Sequence, residues 1–230
     1  MLTEGTDFAV TDRDLAVGGQ RLAVSGLKAS YPDLLLPLFG AYQAQNAACA
    51  LAAVEAFSGA GPLEDELVRQ AFAAMSAPGR LEVVRRSPVV LVDSAHNPAG
   101  MAATVDALTE AFSFTELAVI LAVSADKDVA GILDQLEPVA GQLVVTGNSS
   151  VRSMDAGKLA ELAVPVFGPD RVTVAARLDD AIEAAAALAD EAAGPDAAPG
   201  SAAVLITGSV VTVGDARQLL IGPNTVADDG

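Results

Sequence analysis

Asp93 and His96 lie three residues apart in VVLVDSAHNPAG, Val89 to Gly100, and His96 is the only histidine of the chain. An apolar, β-branched run ends there in an acid, followed at once by Ser-Ala-His-Asn-Pro and a helical pattern. Val89 to Val92 read as a buried strand, and Asn97-Pro98 reads as a turn opening a helix with proline at its first position. The acid and the imidazole therefore sit at the carboxyl end of a strand, where open α/β sheets hold polar ligands. Each residue also has a purely structural reading, Asp93 as a helix cap and His96 as a packed ring.

Three more strands end in polar loops: SADKD (124–128), TGNSSVR (146–152) and TGS (207–209). In a parallel sheet all four loops converge on one rim, where small residues, hydroxyls and free amides at helix N-termini cradle phosphate or carboxylate oxygens. The chain has only 13 lysines and arginines, yet Lys127 and Arg152 fall in these loops and Arg80 follows Pro78-Gly79 at a domain junction, where it would face both domains. Positive charge placed on one rim of an acidic protein points to an anion. Lys127 alone reads equally well as a solvated surface charge.

Other chemistries are excluded. Asp93, Ser94 and His96 are too close together to form a hydrolase triad readily, and there is no G-x-S-x-G elbow. Neither GQRLAVSG nor VVTVGDAR is a dinucleotide fingerprint, and no G-x-x-x-x-G-K-[ST] phosphate loop occurs. One cysteine, Cys49, and one histidine rule out a typical structural zinc site and any intramolecular disulfide.

The elements that must position these residues fall into two textures. From Phe8 to Leu27 short apolar pieces alternate with turn residues, and Gly18-Gly19 reads as a hairpin turn. Ala44 to Phe57 reads as a helix with Ala47, Leu51, Val54 and Phe57 on one side. A second helix, Leu63 to Met75, would turn Leu67, Ala71, Phe72 and Met75 inward. After Ala77-Pro78-Gly79 strands and helices alternate: Arg80 to Arg86 paired with Val89 to Val92 through Ser87-Pro88, then strands at Leu117–Val123, Leu143–Thr146, Val172–Ala175 and Ala203–Thr207. Helices lie between them, one capped by Ser153, and a last helix runs to Leu220. This alternation predicts an α/β fold, a Rossmann-like, mostly parallel sheet with helices on both faces, preceded by a partial α+β piece.

The 230 residues carry a net charge of −17, which argues against nucleic-acid binding. Leu34 to Val54 is uncharged, but Pro37, Gly40, Gln43, Gln45 and Asn46 argue against a membrane span. The N-terminus lacks the pattern of a signal peptide, and the sequence reads as cytoplasmic.

The ordered set PLFGAYQAQNAACALAAVEAF, PGRLE, DSAHNPAG, DKD and TGSVVTVGDAR resembles the C-terminal part of the folylpolyglutamate synthase/dihydrofolate synthase family, within the Mur-type ligases. The resemblance implies an ATP-dependent amide ligase that activates a folate or dihydropteroate carboxylate as an acyl phosphate, which the amine of L-glutamate then attacks. It implies further that Asn46 contacts the adenine side of ATP, Arg80 the phosphates and Asp93 the ribose. His96 and Ser209 would seat the glutamate or its acceptor carboxylate, with Lys127 and Arg152 as further anion contacts. Magnesium ligands and the phosphate loop would belong to an N-terminal ATPase domain, present in cis or in trans. Residues 1–76 would then be the end of that ATPase domain, 77–222 the C-terminal glutamate-ligase domain and 223–230 a tail. Without the ATPase domain the chain would be inactive, and the family implies a monomer. Tyr42 replaces a usual histidine, and Ser94 a usual glycine or alanine. The alternatives are another Mur-type amino-acid ligase and a non-catalytic nucleotide- or anion-binding module.

Overall fold

A computed structural model describes residues 1–221 apart from 60, 195 and 199, so the expected tail at 223–230 lies outside the described residues. The chain forms two compact units, Met1–Pro78 and Gly79 onward.

The first unit is an antiparallel sheet of β1 (Ala9–Ala16), β2 (Gly19–Ser25) and β3 (Ser30–Leu36), in that order, with helices α1 (Ala41–Ser58) and α2 (Asp65–Ala73). The hairpin expected at Gly18-Gly19 is β1–β2. The sequence reading missed β3, because Pro32 and Asp33 interrupt its pattern. An edge strand tolerates proline, since one row of its amides has no ladder partner. Phe8, Leu22, Val24, Tyr31, Leu34 and Leu36 form the sheet side of the core, against Ala44, Ala48 and Leu51 of α1 and Val68 and Phe72 of α2.

Two inward faces differ from expectation. Val54 and Phe57 are exposed, and the inner side of α1 is instead a run of alanines with Leu51 and Glu55. Alanines let the helix backbone approach the sheet closely. In α2, Leu67 and Ala71 are exposed and Val68 is buried beside Phe72, because helical phase and not side-chain size decides which residue faces inward. The buried Glu55 accepts from Tyr31 Oη at 2.7 Å and from Leu27 N at 2.6 Å, which ties α1 to the start of β3.

The second unit has a six-stranded sheet built from β4 (Glu82–Arg86), β5 (Val89–Val92), β6 (Glu116–Leu121), β7 (Gln142–Val145), β8 (Val172–Val174) and β9 (Ala202–Thr207). The order is β4-β5-β9-β6-β7-β8; β4 is antiparallel to β5 and every other pair is parallel. Helices α3 (Pro98–Ala111), α4 (Val129–Leu136), α5 (Ala156–Phe167), α6 (Leu178–Ala193) and α7 (Val210–Leu220) complete it. Val90, Val92, Ile120, Val144, Val204 and Ile206 point to the face covered by α6 and α7. The alternate residues point to the opposite face, where α3, α4 and α5 pack in turn. All six residues of β9 are buried, as the central strand of a doubly covered sheet requires.

Side-chain caps end the loops at the carboxyl edge. Asn97, Asp128, Asp155 and Ser209 each accept a backbone amide of the helix they precede. The cap expected at Ser153 is therefore Asp155. Ser153 lies two residues earlier, bridged to Ser124, and its hydroxyl accepts from Asn148 N at 3.0 Å. No helix among the described residues is long and apolar enough to cross a membrane.

Gly208 joins β9 to the cap of α7 at φ 106°, and a Cβ there would lie 2.6 Å from the Ala122 carbonyl oxygen. Gly208→Ala should cost about 2–4 kcal/mol, combining left-handed strain with a main-chain clash. Urea unfolding checks this, and an unchanged midpoint would contradict the packing described.

Candidate functional site

The carboxyl ends of β5, β9, β6 and β7 bring the four polar loops to one rim. Main-chain hydrogen bonds stitch them together: Asp93 N to Ile206 O at 3.0 Å, Gly208 N to Ala95 O at 3.1 Å, Ala122 N to Thr207 O at 3.3 Å and Thr146 N to Leu121 O at 3.1 Å. Farther along, Met154 N donates to Val123 O at 2.8 Å and Ala125 N to Arg152 O at 3.0 Å. Thr212 of α7 donates to Ala122 O at 2.9 Å and accepts from Asn148 Nδ2 at 2.9 Å, closing the TGNSS loop onto the helix. Asp215 accepts both the amide and the hydroxyl of Ser149.

Asp93 is 2% exposed. Its Oδ1 accepts from Ala95 N and Thr104 Oγ1, both at 2.8 Å, and its Oδ2 accepts from Leu81 N at 2.8 Å. It does not cap α3, which is the task of Asn97. The carboxylate ties together the end of β5, the middle of α3 and the turn before β4.

His96 is half-buried, and its Nδ1 lies 3.0 Å from Ser94 O. Only a protonated Nδ1 can donate to a carbonyl, so the neutral ring keeps Nε2 as an acceptor. Ser209 Oγ accepts from Val211 N at 3.1 Å, which leaves its own proton free to donate.

Arg80 is exposed, and its guanidinium has no hydrogen bond or ion pair among the described residues. Lys127 Nζ is 3.9 Å from its neighbour Asp126, and exposed Arg152 contributes its carbonyl to the rim. Asn46 belongs to the first unit, exposed on α1, where its amide donates to Gln43 Oε1 at 3.2 Å. The second unit thus gathers Arg80, Asp93, His96 and Ser209 through shared main-chain contacts. The Ala125–Arg152 main-chain bond joins the two loops that carry Lys127 and Arg152.

The sequence reading missed Thr104, Glu82 and Arg217. Thr104 could be found only by placing it on the inner face of α3, beneath Asp93. Glu82 stands in the quoted GRLE motif, where it accepts Gly79 N at 2.7 Å and pairs with Arg217 of α7. No group of three His, Cys, Asp or Glu side chains among the described residues converges as a metal site. A hollow of about 370 Å³ opens at the other end of the sheet, beside Glu116, Glu137 and Arg171. Arg171 is already committed there to Glu137 Oε1 at 2.8 Å and to the Gly141 carbonyl at 3.1 Å. This hollow is not the site, because it faces away from the strand ends that carry the polar loops.

Residues 79–210 match the family model described as Mur ligase, glutamate ligase domain. The chain is 50% identical over 223 residues to the dihydrofolate synthase/folylpolyglutamate synthase of Mycobacterium tuberculosis, covering 94% of this chain and 46% of that protein. It is 38% identical over 132 residues to the folylpolyglutamate synthase of Lacticaseibacillus casei, covering 56% and 31%. A crystal structure of the M. tuberculosis folylpolyglutamate synthase complexed with ADP and AMPPCP superposes with a TM-score of 0.91 at 50% identity, covering 96% of this chain and 49% of that one. E. coli FolC in complex with DHPP and ADP gives 0.75 at 25% identity, covering 95% and 47%. The chain spans about half the length of the M. tuberculosis relative and less of the L. casei one.

Burial pushes the Asp93 carboxyl above the usual range, against the opposing pull of the hydrogen bonds from Thr104, Ala95 and Leu81 and the charge of Arg80. A carboxyl raised in the folded state contributes stability that is fully present below its unfolded value and lost as pH rises through its folded value. The stability of the wild type relative to Asp93→Asn should therefore fall as the pH is raised from about 3.5 to 7. Chemical denaturation of both proteins at the two pH values measures it, and a difference that grows with pH would contradict the burial.

Proposed function

The chain belongs to the Mur ligase family by its glutamate ligase domain, and on that premise we propose that it is the C-terminal part of an ATP-dependent ligase joining L-glutamate to folate or dihydropteroate. The observation that carries this reading is the 50% identity to the M. tuberculosis enzyme, sustained over 94% of the chain and across both units. That relative binds ADP and AMPPCP, which supports a nucleotide as the anion for the rim.

Each residue then has a task that its chemistry allows. Arg80, exposed and without a hydrogen bond or close ion pair among the described residues, would hold phosphate oxygens. Asp93 would fix the turn that carries Arg80, from a carboxylate that is 2% exposed and already holds three donors. Asn46 would serve the adenine side. The Ser209 proton would be donated to a carboxylate oxygen of glutamate or its acceptor. His96 Nε2 would accept from the glutamate amine, which must lose a proton before it can attack. Lys127 and Arg152 would raise the local concentration of anionic substrates. ATP supplies the phosphoryl group that activates the carboxylate, and its magnesium ligands belong with the ATPase domain. Such a ligase must exclude water from the activated carboxylate.

The first unit supports the need for an ATPase partner. The only charged residue of α1 is Glu55, which is buried, while Cys49, Ala53, Val54 and Phe57 are exposed. An 18-residue helix without an exposed charge, in a chain of net charge −17, is suited to be covered on its outer side. The occupant we assign is the remainder of the ATPase domain, which the double length of the relatives can supply.

Two measurements test the proposal. The chain alone should show no glutamate ligation, and activity restored by a supplied ATPase half should fall roughly 10- to 100-fold in kcat/KM on Arg80→Ala, the loss of one charged phosphate contact. Ligation by the chain alone, or full activity of the variant, would overturn the assignment. The lone Cys49 thiol should react readily with a maleimide in the free chain and slowly once the ATPase half is bound. Unchanged labelling would remove α1 as the contact.

A further inference from the structure

We infer that residues 79–82 form a rigid mount for Arg80, and that Glu82 and Ser94 are positioning residues acting through it. Both residues beside Arg80 are left-handed, Gly79 at φ 74° and Leu81 at φ 45°. Glycine accepts that conformation freely, whereas leucine holds it only where its surroundings enforce it. The enforcement is visible. The Leu81 side chain is 1% exposed, and its amide donates to Asp93 Oδ2 at 2.8 Å.

Gly79 is fixed as firmly. Its amide donates to Glu82 Oε2 at 2.7 Å, and its carbonyl accepts from both the amide and the hydroxyl of Ser94, each at 2.9 Å. A Cβ at Gly79 would lie 2.7 Å from Val213 Cγ1 and 3.0 Å from Ser94 Oγ, so the turn lies directly against α7. The other oxygen of Glu82 takes the guanidinium of Arg217, which anchors the mount to α7.

The consequence is asymmetric. The residues on either side of Arg80 are held by buried or half-buried groups, and Arg80 alone is exposed. An arginine whose Cα is already fixed loses less conformational freedom on closing around an anion than one on a loose loop. Glu82 and Ser94 therefore contribute to anion binding without touching the anion. A glycine or alanine at position 94 would keep the amide bond to Gly79 and lose the hydroxyl one.

This inference rests on the reading of Arg80 as a phosphate contact, and the experiment separates the two. The full 230-residue chain is titrated with MgADP and followed by NMR at the amides of residues 79–81, in the wild type and in Arg80→Ala, Glu82→Gln and the double variant. Hydrogen exchange at Gly79 and Leu81 is measured on the same samples. Slow exchange is expected in the wild type and in Arg80→Ala, with faster exchange at Gly79 in Glu82→Gln. Glu82→Gln should weaken ADP binding about tenfold in the wild-type background and leave it unchanged in the Arg80→Ala background, as a residue acting only through Arg80 must.

Equal weakening by Glu82→Gln in both backgrounds, or none in the wild type, overturns the mount while leaving Arg80 as a contact. ADP binding unaffected by Arg80→Ala overturns the reading of Arg80 itself, and the positioning role with it. Ser94→Ala removes one hydrogen bond and no charge. It supplies the same comparison if Glu82→Gln unfolds, with a smaller loss of affinity that again vanishes in the Arg80→Ala background.

Discussion

A carboxylate withdrawn from water needs donors, and Asp93 takes them from three separate segments. Leu81 N comes from the turn before β4, Ala95 N from the loop after β5, and Thr104 Oγ1 from the second turn of α3. A charge-assisted bond of this kind contributes about 1.5–3 kcal/mol, against a desolvation cost of several kcal/mol for the ion. The raised pKa says that desolvation outweighs the bonds. Asp93 is thus held at an energetic cost, and what that cost secures is geometry: loop, helix and turn keep one arrangement because each supplies a donor to the same group. Arg80 and His96 are presented by two of those segments.

The rim also shows where an acidic protein keeps some of its few exposed positive charges. Its helix N-termini are already capped by Asn97, Asp128, Asp155 and Ser209, three of them within or beside the loops picked out in the sequence. Two of these caps are carboxylates, which offset the positive ends of α4 and α5. Open positive potential is therefore left to side chains, chiefly the exposed Arg80 and Arg152. On the proposed reading, an anion would be held by a few placed arginines and not by the general field of the protein.

Much of the second unit was legible because its strands are unbroken β-branched and aliphatic runs that end in abrupt polar turns. VVLVDSAH and VLITGS announce both a buried strand and the polar loop that ends it. What was not legible depends on phase or on distant partners. The third strand of the first unit hides behind Pro32 and Asp33, and α1 turns Phe57 outward although it is the bulkiest apolar residue there. Ser153 looked like a helix cap, but the helix starts after Asp155, a difference of half a turn that only the backbone decides. The partners of Asp93 lie 11 and 12 residues away on either side, and no local pattern pairs them.

The position of β9 carries a consequence for how the molecule comes into being. It is the last strand among the described residues, yet it lies between β5 and β6, paired with β6 from Ala202 to Thr207 and with β5 from Ala203 to Ile206. Until it is made, the β4–β5 hairpin and the β6–β7–β8 ribbon share no main-chain ladder, and the two halves of the sheet expose edges that would pair with any passing strand. Sheet formation thus waits for β9 and depends on contacts of long sequence separation, the kind that form slowly. The loop TGS, delivered with β9, completes the rim in the same event, so a nascent chain cannot display the finished rim before its sheet has closed.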